Sequence, residues 1–181
     1  GAEYALDVEL TRDLFVACDG AIDVSGQGYL GGPRYAGRAY GFGNSQAEGA
    51  NYLTGASHGG RGGLFDGSSL PYGSLFDPRE PGGGAGGSSA SAGSDGGGAI
   101  RIAAGRRAVV DGALRANGNS NLAVGAAGGA VRLAAADILG AGNPQLPALV
   151  HRAGNFPLRH LDAVGGDGVA CAATHRVRRC L

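Results

Sequence analysis

The chain has no methionine, no tryptophan and no lysine, and only 6% of its 181 residues are aromatic. So few large side chains exclude a thick core of bulky residues. Order must come instead from backbone hydrogen bonds and from main chains that approach closely. The 15 basic residues are all arginine, which reads as a bias of genome composition, and 15 acids bring the net charge to zero. A neutral chain carries no electrostatic footprint for nucleic acid and little charge to oppose self-association. No apolar run approaches the roughly 18 residues of a membrane-spanning helix. The first residue is Gly1, not methionine, so we expect a mature chain that has lost a leader, or a fragment of something longer.

Cysteine is scarce too. Cys171 and Cys180 close a short C-terminal loop, and a disulfide between them suits an exported protein. Cys18 is left over. It ends the apolar run Leu14-Phe-Val-Ala-Cys18 and reads as a buried, inert thiol. Three cysteines at this spacing match no zinc pattern.

What the chain has in excess is glycine, 38 residues, without the Gly-X-Y period of collagen. Around the glycine lie short alternating segments. Val8–Gly26 aligns without gaps over Ile100–Gly118 at a shift of 92. Each copy holds an alternating strand (Val8/Leu10, Ile100/Ile102), an apolar run, an Asp-Gly-Ala corner (Asp19, Asp111) and a third alternating strand (Ile22/Val24, Leu114/Ala116). A third copy starts at Val131-Arg-Leu133 and continues more loosely through Ile138-Leu139 to Leu149–Gly154. Period-two strands with Gly, Asn and Asp at the corners, recurring in short units, predict an all-β fold. We expect a right-handed parallel β-helix (β-solenoid) of about three to four coils forming a single domain over 1–181. Residues 27–98 are a large glycine-rich inserted lobe and residues 155–181 a C-terminal tail or cap. The lobe holds 23 of the glycines and most of the aromatics. A loop this long inside a domain is expected to pack, with glycines letting backbones come close.

Ser57-His-Gly-Gly-Arg-Gly-Gly63, Tyr72-Gly-Ser-Leu-Phe-Asp-Pro78, Gly96-Gly-Gly-Ala-Ile-Arg-Ile102, Asp111–Gly118 and Gly128–Leu133 follow one another in an order that resembles the glycine-rich repeat regions of large exported bacterial surface proteins. The resemblance covers about residues 6–142. It implies a β-helical, adhesin-like region at the cell surface and carries no catalytic residues with it.

Candidate chemistry is sparse. His58 and Arg61, in a glycine-rich bend, have the donors for an anion or a sugar. Asp77, Arg79 and Glu80 are the carboxylates and cation that a polysaccharide-cleaving face needs, although a turn with a surface ion pair explains them as well. Stacked Asp19 and Asp111 offer a weak Ca²⁺ site, against the plainer reading of acids turning tight corners. The Arg176-Val-Arg-Arg179 tail is suited to an acidic surface or polymer. No catalytic motif is recognised. The expectation is an exported structural protein, extracellular or at the cell surface, that self-associates into a fibre or surface layer. The alternative is a β-helix that binds or degrades carbohydrate, with a cell-surface glycan as partner. No nucleic-acid partner and no cofactor are expected.

Overall fold

Alternation decides where the strands lie. In β1 (Ala5–Leu10) Leu6, Val8 and Leu10 turn inward while Ala5, Asp7 and Glu9 stay exposed, and the same period of two runs through β4 (Ala99–Ala104) and β7 (Ala130–Ala135). Shorter strands follow each of these: β2 (Leu14–Val16) and β3 (Ala21–Asp23), then β5 (Arg107–Val110) and β6 (Ala113–Arg115), then β8 (Asp137–Leu139) and β9 (Leu149–Arg152). The computed structural model describes residues 5–35, 38–63, 70–121, 124–140 and, for the backbone alone, 149–152. The fold is all-β. Among the described residues the only helical element is a 3-10 turn, Phe42–Asn44, and no helix is long and apolar enough to cross a membrane.

Every strand pair is parallel. The strands form three sheets, in the orders β1-β4-β7-β9, β2-β5-β8 and β3-β6. The chain therefore visits the first, second and third sheets in turn and then repeats. We call β1–β3 the first tier, β4–β6 the second and β7–β8 the third. β9 opens a fourth, so Leu149–Arg152 belongs to the first sheet and not, as the sequence suggests, to the end of the third copy.

The register also departs from the expected uniform shift. Val8 pairs with Ile102 and Leu14 with Ala108, a shift of 94, whereas Ile22 pairs with Leu114 at 92. The difference lies at one corner. Between β2 and β3 the first tier makes a four-residue turn, Ala17–Gly20, closed by the Gly20 N–H on the Ala17 carbonyl at 2.9 Å. The second tier crosses the same corner on Asp111 and Gly112, whose N–H groups both donate to the Val16 carbonyl. Two residues are absorbed there, and the columns of inward side chains stay aligned on either side.

Those columns are the core. Ile100, Ile102, Ala104, Ala108, Leu114 and Ala116 pack against Val16 below and Val131, Leu133 and Ala135 above. Ile100 is fully buried, as the middle of a stack should be. Leu6, Val8, Leu10, Leu14 and Ile22 in the first tier are only half-buried, because no described strand lies beneath them.

The lobe leaves the first tier after Val24 and returns at Gly98, whose N–H donates to the Val24 carbonyl at 2.8 Å. It has almost no strand, yet residues 81–88 are all buried. Its hydrogen bonds recur every three residues. The N–H groups of Tyr29, Gly32 and Tyr35 donate to the carbonyls of Gly82, Ala85 and Ser88. The N–H groups of Gly82, Ala85 and Ser88 donate in turn to Gly97, Ser94 and Ser91. A third side of the same segment meets Tyr40 through Gly84, and Thr54 through Gly86. Three residues per turn with no internal hydrogen bonds is the pattern of a polyproline-II-type helix, and where such segments pack this closely small residues line the contact, with glycine at the tightest positions. Side-chain carbons added at Gly84, Gly87, Gly93 or Gly96 would lie well inside 3.0 Å of a neighbouring carbonyl.

Candidate functional site

The sequence-predicted site residues fall into two separate groups. One surrounds Tyr72. Its ring lies 5.1 Å from that of His58, 5.6 Å from Phe42 and 6.2 Å from Tyr29, all tilted. Tyr72 Oη donates to the Pro81 carbonyl at 2.8 Å, and Tyr29 Oη donates to Glu80 Oε2 at 3.1 Å. His58 Nδ1 lies 2.7 Å from the Gly128 carbonyl, which can only accept, so the neutral ring carries its proton there. Burial holds the His58 pKa below its ordinary value, against the opposing pull of the Gly128 carbonyl and the Glu80 charge. Burial, followed by the Glu80 carboxylate, pushes the Tyr29 hydroxyl up to about 12, and burial raises Tyr72 too. All three groups are therefore uncharged at neutral pH. Each partner is a backbone carbonyl or an anion, so the cluster clamps the lobe to the segment that leads into β7. Arg61 is exposed and makes no hydrogen bond or ion pair among the described residues.

The second group lies on the outer face of the first sheet. Asp7, Arg101 and Arg132 stand in register on β1, β4 and β7. Like charges directly opposite one another are unfavourable, and two carboxylates relieve the Arg101–Arg132 contact. Asp7 accepts from Arg101 at 2.7 Å, and Asp77, from the lobe, accepts from Arg132 at 2.8 Å and from Arg79. The hydrogen bond from Arg79 comes first among the causes that hold the Asp77 carboxyl below the usual range, with Arg132 and Arg101 adding to it. Asp77 thus pins the lobe to the sheet. Asp77 and Glu80, expected as a pair, turn to different partners: Asp77 to arginines and Glu80 to a tyrosine.

Other charges follow the same rule of facing sign across tiers. Asp13 meets Arg106 at 3.4 Å and Asp23 meets Arg115 at 3.7 Å. A shallow groove of about 270 Å³ lies beside the first of these, lined by Asp13, Arg106, Arg107 and Asp137. Asp19 is exposed in the Ala17–Gly20 turn, and Asp111 turns the equivalent corner. Among the described residues no cluster of three or more His, Cys, Asp or Glu side chains is placed to hold a metal ion.

Cys18 corrects the expectation of a buried thiol: it is exposed, in the second position of that turn, and disulfide-bonded. Cys171 and Cys180, expected to pair with each other, lie outside the described residues, as does the arginine tail. The Tyr29–Glu80 and His58–Gly128 contacts join residues 51 and 70 positions apart, and no local motif announces them. The period of three in the lobe did have a signal, in the spacings Gly28/Gly31, Gly84/Gly87 and Gly93/Gly96. Compared with family models, with curated proteins and with solved structures, the chain matches none of them.

Proposed function

We propose that this is an exported structural protein, a right-handed parallel β-helix that self-associates into fibres or a surface layer. The order in which the chain visits its three sheets supports the coil, and a right-handed crossover is the rule for parallel strands. The Cys18 disulfide supports an oxidising, extracytoplasmic setting. The observation that carries the reading is the first tier. Among the described residues β1, β2 and β3 are all edge strands, and apart from the buried Val16 the inward side chains of that tier are only half-buried. An unpaired edge of this kind is a template for another chain that can match its charge, and a contact that does not close on itself builds a filament. In support of a non-catalytic role, Asp77, Glu80 and His58 are each engaged in holding the lobe. The test is size-exclusion chromatography and electron microscopy over a wide concentration range, with thiols oxidised and with thiols reduced. Linear assemblies that grow with concentration are expected. A monomer under both conditions at high concentration overturns the proposal.

A second reading, carbohydrate binding, draws on Phe42. Phe42 is 48% exposed and its ring lies tilted against that of Tyr72 at 5.6 Å, an exposed aromatic of the kind a sugar uses as a platform. A glycan array separates the two readings: binding that is lost in Phe42→Ala supports the second, and no binding at all removes it.

A further inference from the structure

Charge is not spread evenly over the tiers. Residues 5–25 carry five carboxylates (Asp7, Glu9, Asp13, Asp19 and Asp23) against one arginine, Arg12. Residues 99–118 reverse this, with Arg101, Arg106, Arg107 and Arg115 against Asp111. The ion pairs Asp7–Arg101, Asp13–Arg106 and Asp23–Arg115 all run between these two tiers. Among the described residues the first tier is therefore an uncovered acidic rim above which a basic tier already sits. Two of its acids, Glu9 and Asp19, make no ion pair among the described residues. Whatever covers the half-buried Leu6, Val8 and Leu10 from the other side has to carry positive charge to match.

The segment densest in arginine is the C-terminal one. Residues 172–181 hold three arginines and a histidine and no acid, in the alternating run Arg176-Val177-Arg178. That run offers an apolar side chain between two cations, where β1 offers Val8 between Asp7 and Glu9. A second observation leads to the same segment. Cys18 is exposed on the rim, next to Asp19, and is disulfide-bonded, and the only other cysteines are Cys171 and Cys180. A bridge to either leaves all of Arg176–Arg179 within eight residues of the rim, a reach of at most about 28 Å. A six-residue edge such as β1 spans about 20 Å.

We infer that the arginine tail of this chain docks on its own first tier as a cap, tethered through Cys18, with its guanidinium groups against the rim carboxylates. The cap and the next copy of the chain compete for one edge, so association through that edge is gated by the bridge. The docking itself does not depend on association.

Two measurements test this on the full chain at a concentration where it is monomeric. Peptide mapping without reduction is expected to show the Cys18 peptide joined to the peptide holding Cys171 or Cys180 of the same molecule. A free Cys18, or a bridge between two molecules, overturns the inference. Amide exchange then reads the docking, with the disulfide intact. Replacing Arg176, Arg178 and Arg179 together by glutamate is expected to speed exchange in β1, β2 and β3 by about tenfold and to leave β4 and β7 unchanged. Replacing the same three by lysine keeps the charge and is expected to restore most of the protection. Unchanged exchange in the glutamate variant overturns the cap, whatever the chain does at higher concentration. Loss of protection throughout the stack, with either substitution, overturns it too, because the tail would then be supporting the fold and not covering one edge.

Discussion

Gly96→Ala tests whether the lobe is held by main chains at glycine-only distances. Gly96 donates to the Tyr29 carbonyl at 2.9 Å and accepts from the Gly28 N–H at 2.6 Å. An added methyl would meet the Gly82 carbonyl well inside 3.0 Å and lie 2.8 Å from the Gly83 carbonyl oxygen. Both obstacles are backbone, so no rotamer change relieves the overlap and the segments must separate. Overpacking of this kind costs about 1–3 kcal/mol. Straining or losing two backbone hydrogen bonds adds about 1–3 kcal/mol. Restricting the unfolded chain returns about 0.4–1 kcal/mol. The net expectation is a loss of about 1–5.6 kcal/mol. Gly63→Ala is the control: it is exposed, with nothing within 4 Å of an added methyl. Its expected effect is neutral or stabilising by less than about 1 kcal/mol. Urea unfolding, followed by tyrosine fluorescence for the lobe and by circular dichroism for the sheets, gives both values. A Gly96→Ala chain within about 0.5 kcal/mol of the parent refutes the close-packed bundle.

Ile100→Ala, in the fully buried middle tier, is expected to cost about 2–5 kcal/mol, and Leu6→Ala, half-buried at the open end, less than half as much. Equal losses in urea unfolding contradict the stacking order. His58 has a folded pKa below that of the unfolded chain, so its contribution to stability is complete above about pH 6.5. That contribution falls as pH drops toward the folded pKa, because the unfolded chain takes up the proton first. The slope of stability between pH 7.5 and 5 is expected to flatten in His58→Gln, and an unchanged slope counts against the buried neutral imidazole. Asp77 has the opposite charge type but the same sign of dependence, since its lowered pKa gives stability above the ordinary carboxylate range that is lost in acid. Carboxyl chemical shifts in an NMR titration are expected to place Asp77 below its usual value in the parent chain and to move it part of the way back in Arg79→Ala, with Arg132 still holding it low.

The parts of the fold that were legible in the sequence are those that depend on neighbours along the chain. Ile100-Arg-Ile102 and Val131-Arg-Leu133 show which face is inward by alternation alone, and the shift of 31 between them is the observed pairing. The shift of 92 holds for Ile22 and Leu114 but fails by two for Val8, because an ungapped alignment cannot see a turn that swallows two residues. Leu149–Arg152 was placed one tier too early for a similar reason: its partner is set by a sheet and not by spacing. The lobe was recognisable as a place of close approach, but the period of three was masked by serine and alanine between the glycines. The site residues were legible only as residue types. Glu80 reads like a catalytic acid until Tyr29 is seen beside it, and Asp77 until Arg132 is, because both partners arrive from remote parts of the chain. Cys18 misled by its apolar neighbours, since a turn put it on the outside.

The long excursion between the first two tiers has a kinetic cost. Pairing β1 with β4 joins residues 94 apart, whereas pairing β4 with β7 joins residues only 31 apart. Closing the larger loop is the slower event, and it cannot be rewarded until the lobe has collapsed. Refolding therefore starts from the middle of the chain and recruits its amino-terminal portion last. Pulse-labelled hydrogen exchange that found β1 protected before β7 would contradict this order. An emerging chain makes β1 well before β4, so this edge strand waits unpaired through the synthesis of the whole lobe.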